Sequence, residues 1–214
     1  MTPEFARAVD PIFLHVLGLL DRIGKGENPS VQNERLKIRG WIDTAEGHLG
    51  GRPDWQLAKY ALISWIDEVM LEAPWDGHEW WNENVLEVEL FNTRLAHEEF
   101  YLKAREASGL PNRDALEVYY VCVVLGFRGL YRDPEIAANL SESLGLPADL
   151  ESWARQAALA IRLGHGRPKI VETEDAGLGA PPLEGQSKLI WSSLAGAILA
   201  AFLAAALMKG FNVF

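Results

Sequence analysis

Residues 84–107 read NVLEVELFNTRLAHEEFYLKAREA, and whether they form strand or helix decides the fold class. From Val85 to Phe91 apolar and acidic residues alternate briefly, which is the period of a half-buried strand. From Thr93 onward the stretch TRLAHEEFYLKAREA is dominated by Ala, Leu, Glu, Lys and Arg, the strongest helix formers. The second half outweighs the first, and one helix is predicted over about residues 84–107. With the alternating run read as helix, no convincing set of strands remains in the chain. The class is therefore all-α.

Helical spacing continues on both sides of this stretch. At the start, Thr2, Pro3 and Glu4 form a helix opening, with Thr2 as N-cap and Pro3 at the first helical position. Phe5, Val9, Ile12, Phe13, Val16 and Leu20 follow at helical intervals, Pro11 is expected to kink or restart the helix, and GKGENP ends it. A second segment runs from Ser30 to about His48, where the pair Gly50–Gly51 follows. A third opens at Pro53 and ends at APWDG, with Leu57, Tyr60, Ala61, Ile63, Ser64 and Met70 as inner positions. Beyond residue 107, Asn112 is expected to cap a segment ending near Gly126 or Gly129. Two more are predicted at about 133–144 and 147–163. The expectation is a bundle of about seven helices over residues 1–163.

The C-terminal end differs in kind. Residues 189–208, LIWSSLAGAILAAFLAAALM, contain no charge and are bracketed by Lys188 and Lys209. At about 1.5 Å per residue such a helix spans roughly 30 Å, the thickness of a bilayer core. Leu189 to Met208 is therefore predicted to be a membrane anchor, with its helix over 188–209 and a short periplasmic tail at 210–214. Residues 164–187 are rich in Gly, Pro and acid and read as a flexible linker. Ser192, Gly196, Ala200 and Ala204 recur every fourth residue, a spacing that lets two membrane helices approach closely. Arg162, Arg167, Lys169 and Lys188 precede the anchor and only Lys209 follows it, which favours a cytoplasmic N-terminal domain. The start, MTPEFARAVD, lacks the pattern of a secretory signal.

Composition removes several function classes. Thirty acidic residues against twenty basic ones give a net charge of −10, with the basic residues scattered, so nucleic acid is not an expected partner. The single cysteine, Cys122, sits in the apolar run YYVCVVLGF and reads as a small buried hydrophobe. A zinc-hydrolase helix beginning at His97 would need a second histidine at position 101, which is Tyr101. A di-iron bundle needs an acid three residues before a histidine. Ile12, Ala45, Trp75, Arg94 and Arg162 occupy those positions instead. No Walker loop, Rossmann glycine pattern or nucleophile elbow occurs. No metal, cofactor or catalytic residue is predicted. Asp67 and Glu68, in WIDEVMLEAPWDG, stand near the C-terminal end of an apolar helix, where acids oppose the macrodipole. From the residues alone they read first as a solvated face or as internal partners of a nearby Arg, and second as a partner-binding site.

Three stretches together carry a resemblance. YALISWIDEVMLEAPWDG contributes Tyr60, Ala61, Asp67, Glu68, Pro74 and Trp75; LFNTRLAHEEFY contributes Glu98, Phe100 and Tyr101; and LEVYYVCVVLGFRGLYR contributes Cys122, Leu125, Gly126, Phe127, Gly129 and Tyr131. In these the chain resembles the DotU/TssL family, the tail-anchored inner-membrane component of type VI secretion systems, related to IcmH/DotU of the type IVB system. Arg128 and Leu130 depart from the family pattern, which normally has Glu or Gln and Arg there. Five residues follow Lys209, so the peptidoglycan-binding domain that some members carry is not expected here.

The resemblance implies a cytoplasmic helical domain of two small sub-bundles with a cleft, held at the bacterial inner membrane by a single pass. It implies a non-enzymatic assembly role. The expected partners are TssM-like and TssJ-like membrane-complex proteins, TssK-like and TssE-like baseplate proteins, the lipid bilayer and a second copy of the chain. Asp67, Glu68, Trp75, Glu98 and Glu99 become the expected partner-binding residues, and Gly126, Phe127, Gly129 and Tyr131 a structural motif. The alternatives are a membrane-tethered ligand-binding module or enzyme, with a cleft lined by Trp75, Trp80 and Trp81, or a generic dimeric membrane scaffold.

Overall fold

A computed structural model describes residues 1–164, and every regular element among them is helical. Nine α-helices run in chain order: α1 (Pro3–Gly24), α2 (Val31–Leu49), α3 (Pro53–Glu72), α4 (His78–Glu83), α5 (Leu86–Phe91), α6 (Ala96–Ser108), α7 (Asp114–Val124), α8 (Pro134–Leu144) and α9 (Leu150–Gly164), with a 3-10 turn at Gly129–Arg132. None of these is long and apolar enough to cross a membrane. The predicted anchor at 189–208, the tail at 210–214 and all of the predicted linker except Gly164 lie outside the described residues.

α3 is the axis of the molecule. Fourteen of its twenty residues are buried, among them Trp55, Tyr60, Trp65 and Met70, so it is covered on nearly every side. α1 and α2 pack together on one flank, while α6 and α7 cover another. α9 closes the second group by packing on α7 through Trp153 and Ala157. The two groups share α3 and one continuous apolar core. Aromatic rings join its parts. Phe13 tilts against Trp65 at 5.1 Å, and Phe100 stacks on Phe127 at 3.9 Å.

Several helix starts follow from local chemistry. Thr2 caps α1, accepting a hydrogen bond from the Phe5 N–H, and α1 runs unbroken through Pro11 instead of kinking there. Asp133 and Asp149 place carboxylates on the first free N–H groups of α8 and α9. Asn112 does not cap α7. Its amide donates to Asp54 instead, and Asp114 accepts from both the N–H and the hydroxyl of Thr2, which ties α7 to the start of the chain.

The predicted single helix over 84–107 is two helices, and a third, α4, precedes them. The break falls at Asn92, whose backbone is left-handed at φ 56°, a conformation asparagine tolerates better than most residues. The alternation that suggested a strand is also inverted in the fold. Glu87 is buried, whereas Val88 is exposed.

Candidate functional site

A cleft of about 380 Å³ opens between α3 and the segment that holds α4, α5 and the start of α6. Its floor is the buried set Ser64, Asp67, Val85, Glu87 and Phe127. Its rim carries Glu72, Asn82, Arg94, His97 and Arg132, all exposed. A set of capping carboxylates builds it.

Asp67 is the first. It is 6% exposed, and its two oxygens accept from the Trp81 indole N–H at 2.9 Å and from the N–H groups of Leu86 and Glu87 at 2.8 Å each. Leu86 opens α5, and the residue before it, Val85, has no side chain able to cap. Asp67 therefore serves, from another helix, as the N-cap of α5, where an anion is favoured by the free N–H groups and the dipole. Burial pushes its carboxyl up, to about 6, against the pull of these donors and of Arg35 toward the charged form.

Glu87 repeats the device one helix later. Its carboxylate accepts from the hydroxyls of Tyr60 and Thr93 and from the N–H groups of Leu95 and Ala96, which open α6. Burial, then the hydrogen bond to Glu87, raises the Tyr60 hydroxyl well above its usual range.

Glu68 is the third. It accepts from the N–H of Arg128 at 2.6 Å and of Gly129 at 3.1 Å, and so holds the entrance to the 3-10 turn. Arg132, at the end of that turn, returns a guanidinium to Glu68 at 3.0 Å and also pairs with Glu72. Neighbouring acids on one helix thus tie down two different segments. Their position against the α3 dipole is offset by the helix and turn starts they cap.

The glycine-aromatic stretch completes the wall. Gly126 and Gly129 have φ of +114° and +48°. At Gly129 a side chain would collide with the Phe127 ring and approach the His97 carbonyl at 3.0 Å. The Tyr101 hydroxyl donates to the Arg128 carbonyl and the Tyr131 hydroxyl to that of Pro147, both at 2.6 Å.

The predicted site residues divide accordingly. Asp67 and Glu68 meet in the cleft, but Asp67 faces inward with both oxygens engaged, and Glu68 is the one toward the opening. Trp75 is buried beneath the turn after α3, donating its indole N–H to the Met70 carbonyl, and lies outside the cleft. Trp80 and Trp81 do not line it either; Arg35 lies across both rings. Glu98 and Glu99 are partly buried on α6, beside His97 and Lys103, and are not lining residues. Gly196, Ala200 and Ala204 lie outside the described residues. Nothing in the sequence singles out Glu87, Arg94 or Arg132 as site residues, and His97 draws attention there only as a zinc ligand, a reading that Tyr101 rejects. Arg132 closes the third motif, yet nothing in that motif signals that it reaches back to α3.

Chemically, the site offers exposed charged and polar groups around a buried floor that sets Val85 and Phe127 beside Ser64, Asp67 and Glu87. The floor carboxylates are occupied by N–H and hydroxyl donors, and Glu68 and Glu72 by Arg132. Among the described residues no group of three or more His, Cys, Asp or Glu could hold a metal ion.

Comparison with known proteins places this architecture. Among solved structures, the cytoplasmic domain of TssL from Acinetobacter baumannii is similar, with a TM-score of 0.59 and 24% identity over 75% of this chain and 98% of that one. At that identity the likeness shows a shared fold. Comparison with curated proteins gives no match. A family model described as type VI secretion system protein DotU matches residues 4–213. With nearly its whole length matched, the chain belongs to the DotU family of type VI secretion system proteins.

Proposed function

We propose that the chain is a non-enzymatic assembly component of the secretion system, held in the inner membrane by residues 189–208, with its helical domain in the cytoplasm. The cleft beside α3 is the docking site for baseplate proteins of the TssK-like and TssE-like kind. The anchor serves the TssM-like and TssJ-like membrane complex and pairing with a second copy. The observation that carries this reading is the cleft itself: a buried floor and wall held in place by three capping carboxylates, under an exposed rim of Glu72, Arg94, His97 and Arg132. Such a rim suits recognition of a charged protein segment, where complementary charge sets specificity and rate of encounter. Occupied carboxylates suit it better than acid–base catalysis, which needs a carboxyl within reach of a substrate proton.

The test is affinity purification of the full-length protein from detergent-solubilised membranes beside a chain ending at Gln186. The full chain is expected to recover both membrane-complex and baseplate proteins. The shorter chain is expected to keep only the baseplate proteins. Recovery of the chain alone from both preparations would remove this reading.

A further inference from the structure

We propose that the exposed face of the C-terminal half of α9 rests on an anionic lipid surface. The proposal builds on the reading of residues 189–208 as a membrane anchor and adds a second, peripheral contact to it.

α9 carries apolar residues on two faces, and the core uses only one. Trp153 and Ala157 are buried, with Leu150, Ala154, Ala160 and Ile161 packed beside them. On the other side Leu159 is 57% exposed and Leu163, one turn later, 72% exposed. Arg155 and Arg162 flank these leucines at helical spacing, and both are exposed. Arg155 pairs with Glu151 and the Ser152 hydroxyl, while Arg162 has no ion pair among the described residues. Leucines interleaved with arginines on a solvent face are the composition of a helix lying in a membrane interface.

The surrounding sequence points the same way. In a chain of thirty acids and twenty basic residues, residues 152–170 contain Arg155, Arg162, Arg167 and Lys169 and no acid at all. Basic residues next to a membrane segment are attracted to anionic headgroups. Position keeps this face within reach of lipid. Residues 165–188 separate α9 from the apolar run, so even at full stretch the end of α9 stays within about 85 Å of the bilayer. A contact of two leucines and two arginines is weak in isolation. Tethering makes it an intramolecular event and strengthens it.

The experiment uses the full chain reconstituted in vesicles of phosphatidylcholine alone, or of phosphatidylcholine and phosphatidylglycerol in equal parts. Nitroxide labels are placed by Leu163→Cys, Ser143→Cys and Ala200→Cys; the native Cys122 is buried and does not compete. Collision with oxygen, which concentrates in lipid, is compared with collision with a water-soluble nickel chelate. In the anionic vesicles the label at 163 is expected to favour oxygen and the exposed control at 143 to favour nickel. In an Arg155→Glu/Arg162→Glu background, and in phosphatidylcholine alone, the ratio at 163 is expected to fall to that at 143, with helical content unchanged. A nickel-dominated label at 163 in the anionic vesicles, or one shielded from both reagents, overturns the proposal. So does an oxygen-dominated label that ignores lipid charge. The label at 200 separates the two readings: lipid at 200 with water at 163 removes only the α9 contact, whereas water at 200 removes the anchor and the contact with it.

Discussion

Asp67 is a buried acid whose carboxyl is pushed up to about 6 from an ordinary value of 3.8, and that shift has a sign. Between these values the folded protein binds a proton that the unfolded chain has released. The stability this group contributes is thus complete below about pH 4 and is lost as pH rises through about 6. Two units correspond to about 3 kcal/mol. The free-energy difference between wild type and Asp67→Asn, measured by urea unfolding across that range, is expected to shrink by about this amount as pH rises. A difference that stays flat, or grows, would mean that the three N–H donors outweigh burial. The paired glycines make a second residue-scale prediction. Gly129→Ala meets both a left-handed backbone and the Phe127 ring, and is expected to cost about 3 kcal/mol. Gly126→Ala meets backbone strain alone, since nothing lies within 4 Å of the added carbon, and at φ +114° is expected to cost about 2 kcal/mol. A denaturation midpoint for Gly129→Ala above that of Gly126→Ala would show that the ring contact does not matter.

At the scale of elements, the long helices were legible because their apolar residues repeat at helical intervals and their ends carry recognisable caps. Thr2 and Pro3 start α1 where the pattern says they do, and Phe5, Val9, Ile12 and Val16 are all buried. The segment between α3 and α6 was not legible, for a physical reason. Of its two short helices, α4 starts at Gly77 with no side-chain cap, and α5 is capped from a distance: the acid that starts α5 is nineteen residues away on α3, and no local signal announces it. Glu87 hid for the same reason, since a buried acid with four donors looks, in sequence, like the polar half of an alternating strand. Replacing it with glutamine turns an acceptor into a donor facing N–H or hydroxyl donors. Glu87→Gln is therefore expected to lower stability by about 2 kcal/mol with an unchanged denaturant slope. If the loss is confined to the start of α6, hydrogen exchange at Leu95 and Ala96 will rise while α1 and α2 stay protected.

Across the whole molecule, the residues that looked functional and those that build the site proved to be partly the same. Asp67 and Glu68 drew attention because they oppose the α3 dipole, and they are at the cleft. Asp67 acts there as scaffold, however, and the exposed side chains at the rim are Glu72, Arg94, His97 and Arg132. Those four come from α3, the link before α6, α6 itself and the 3-10 turn, so only the fold brings them together. The motif residues of the family account for the walls: Gly129 and Phe127 shape the turn, and Tyr101 and Tyr131 tie it to its neighbours.

The most direct measurement of the central claim is capture of baseplate proteins by the full-length protein carrying Glu72→Lys and Arg132→Glu together. Both side chains are exposed and their mutual ion pair contributes at most about 1 kcal/mol, while Glu68, which loses its contact with Arg132, stays held by the N–H groups of Arg128 and Gly129. Circular dichroism is expected to match wild type, membrane partners to be retained, and baseplate capture to fall at least about tenfold, the effect of roughly 1.4 kcal/mol. Undiminished capture by a correctly folded variant would contradict the account and move the docking surface away from the cleft.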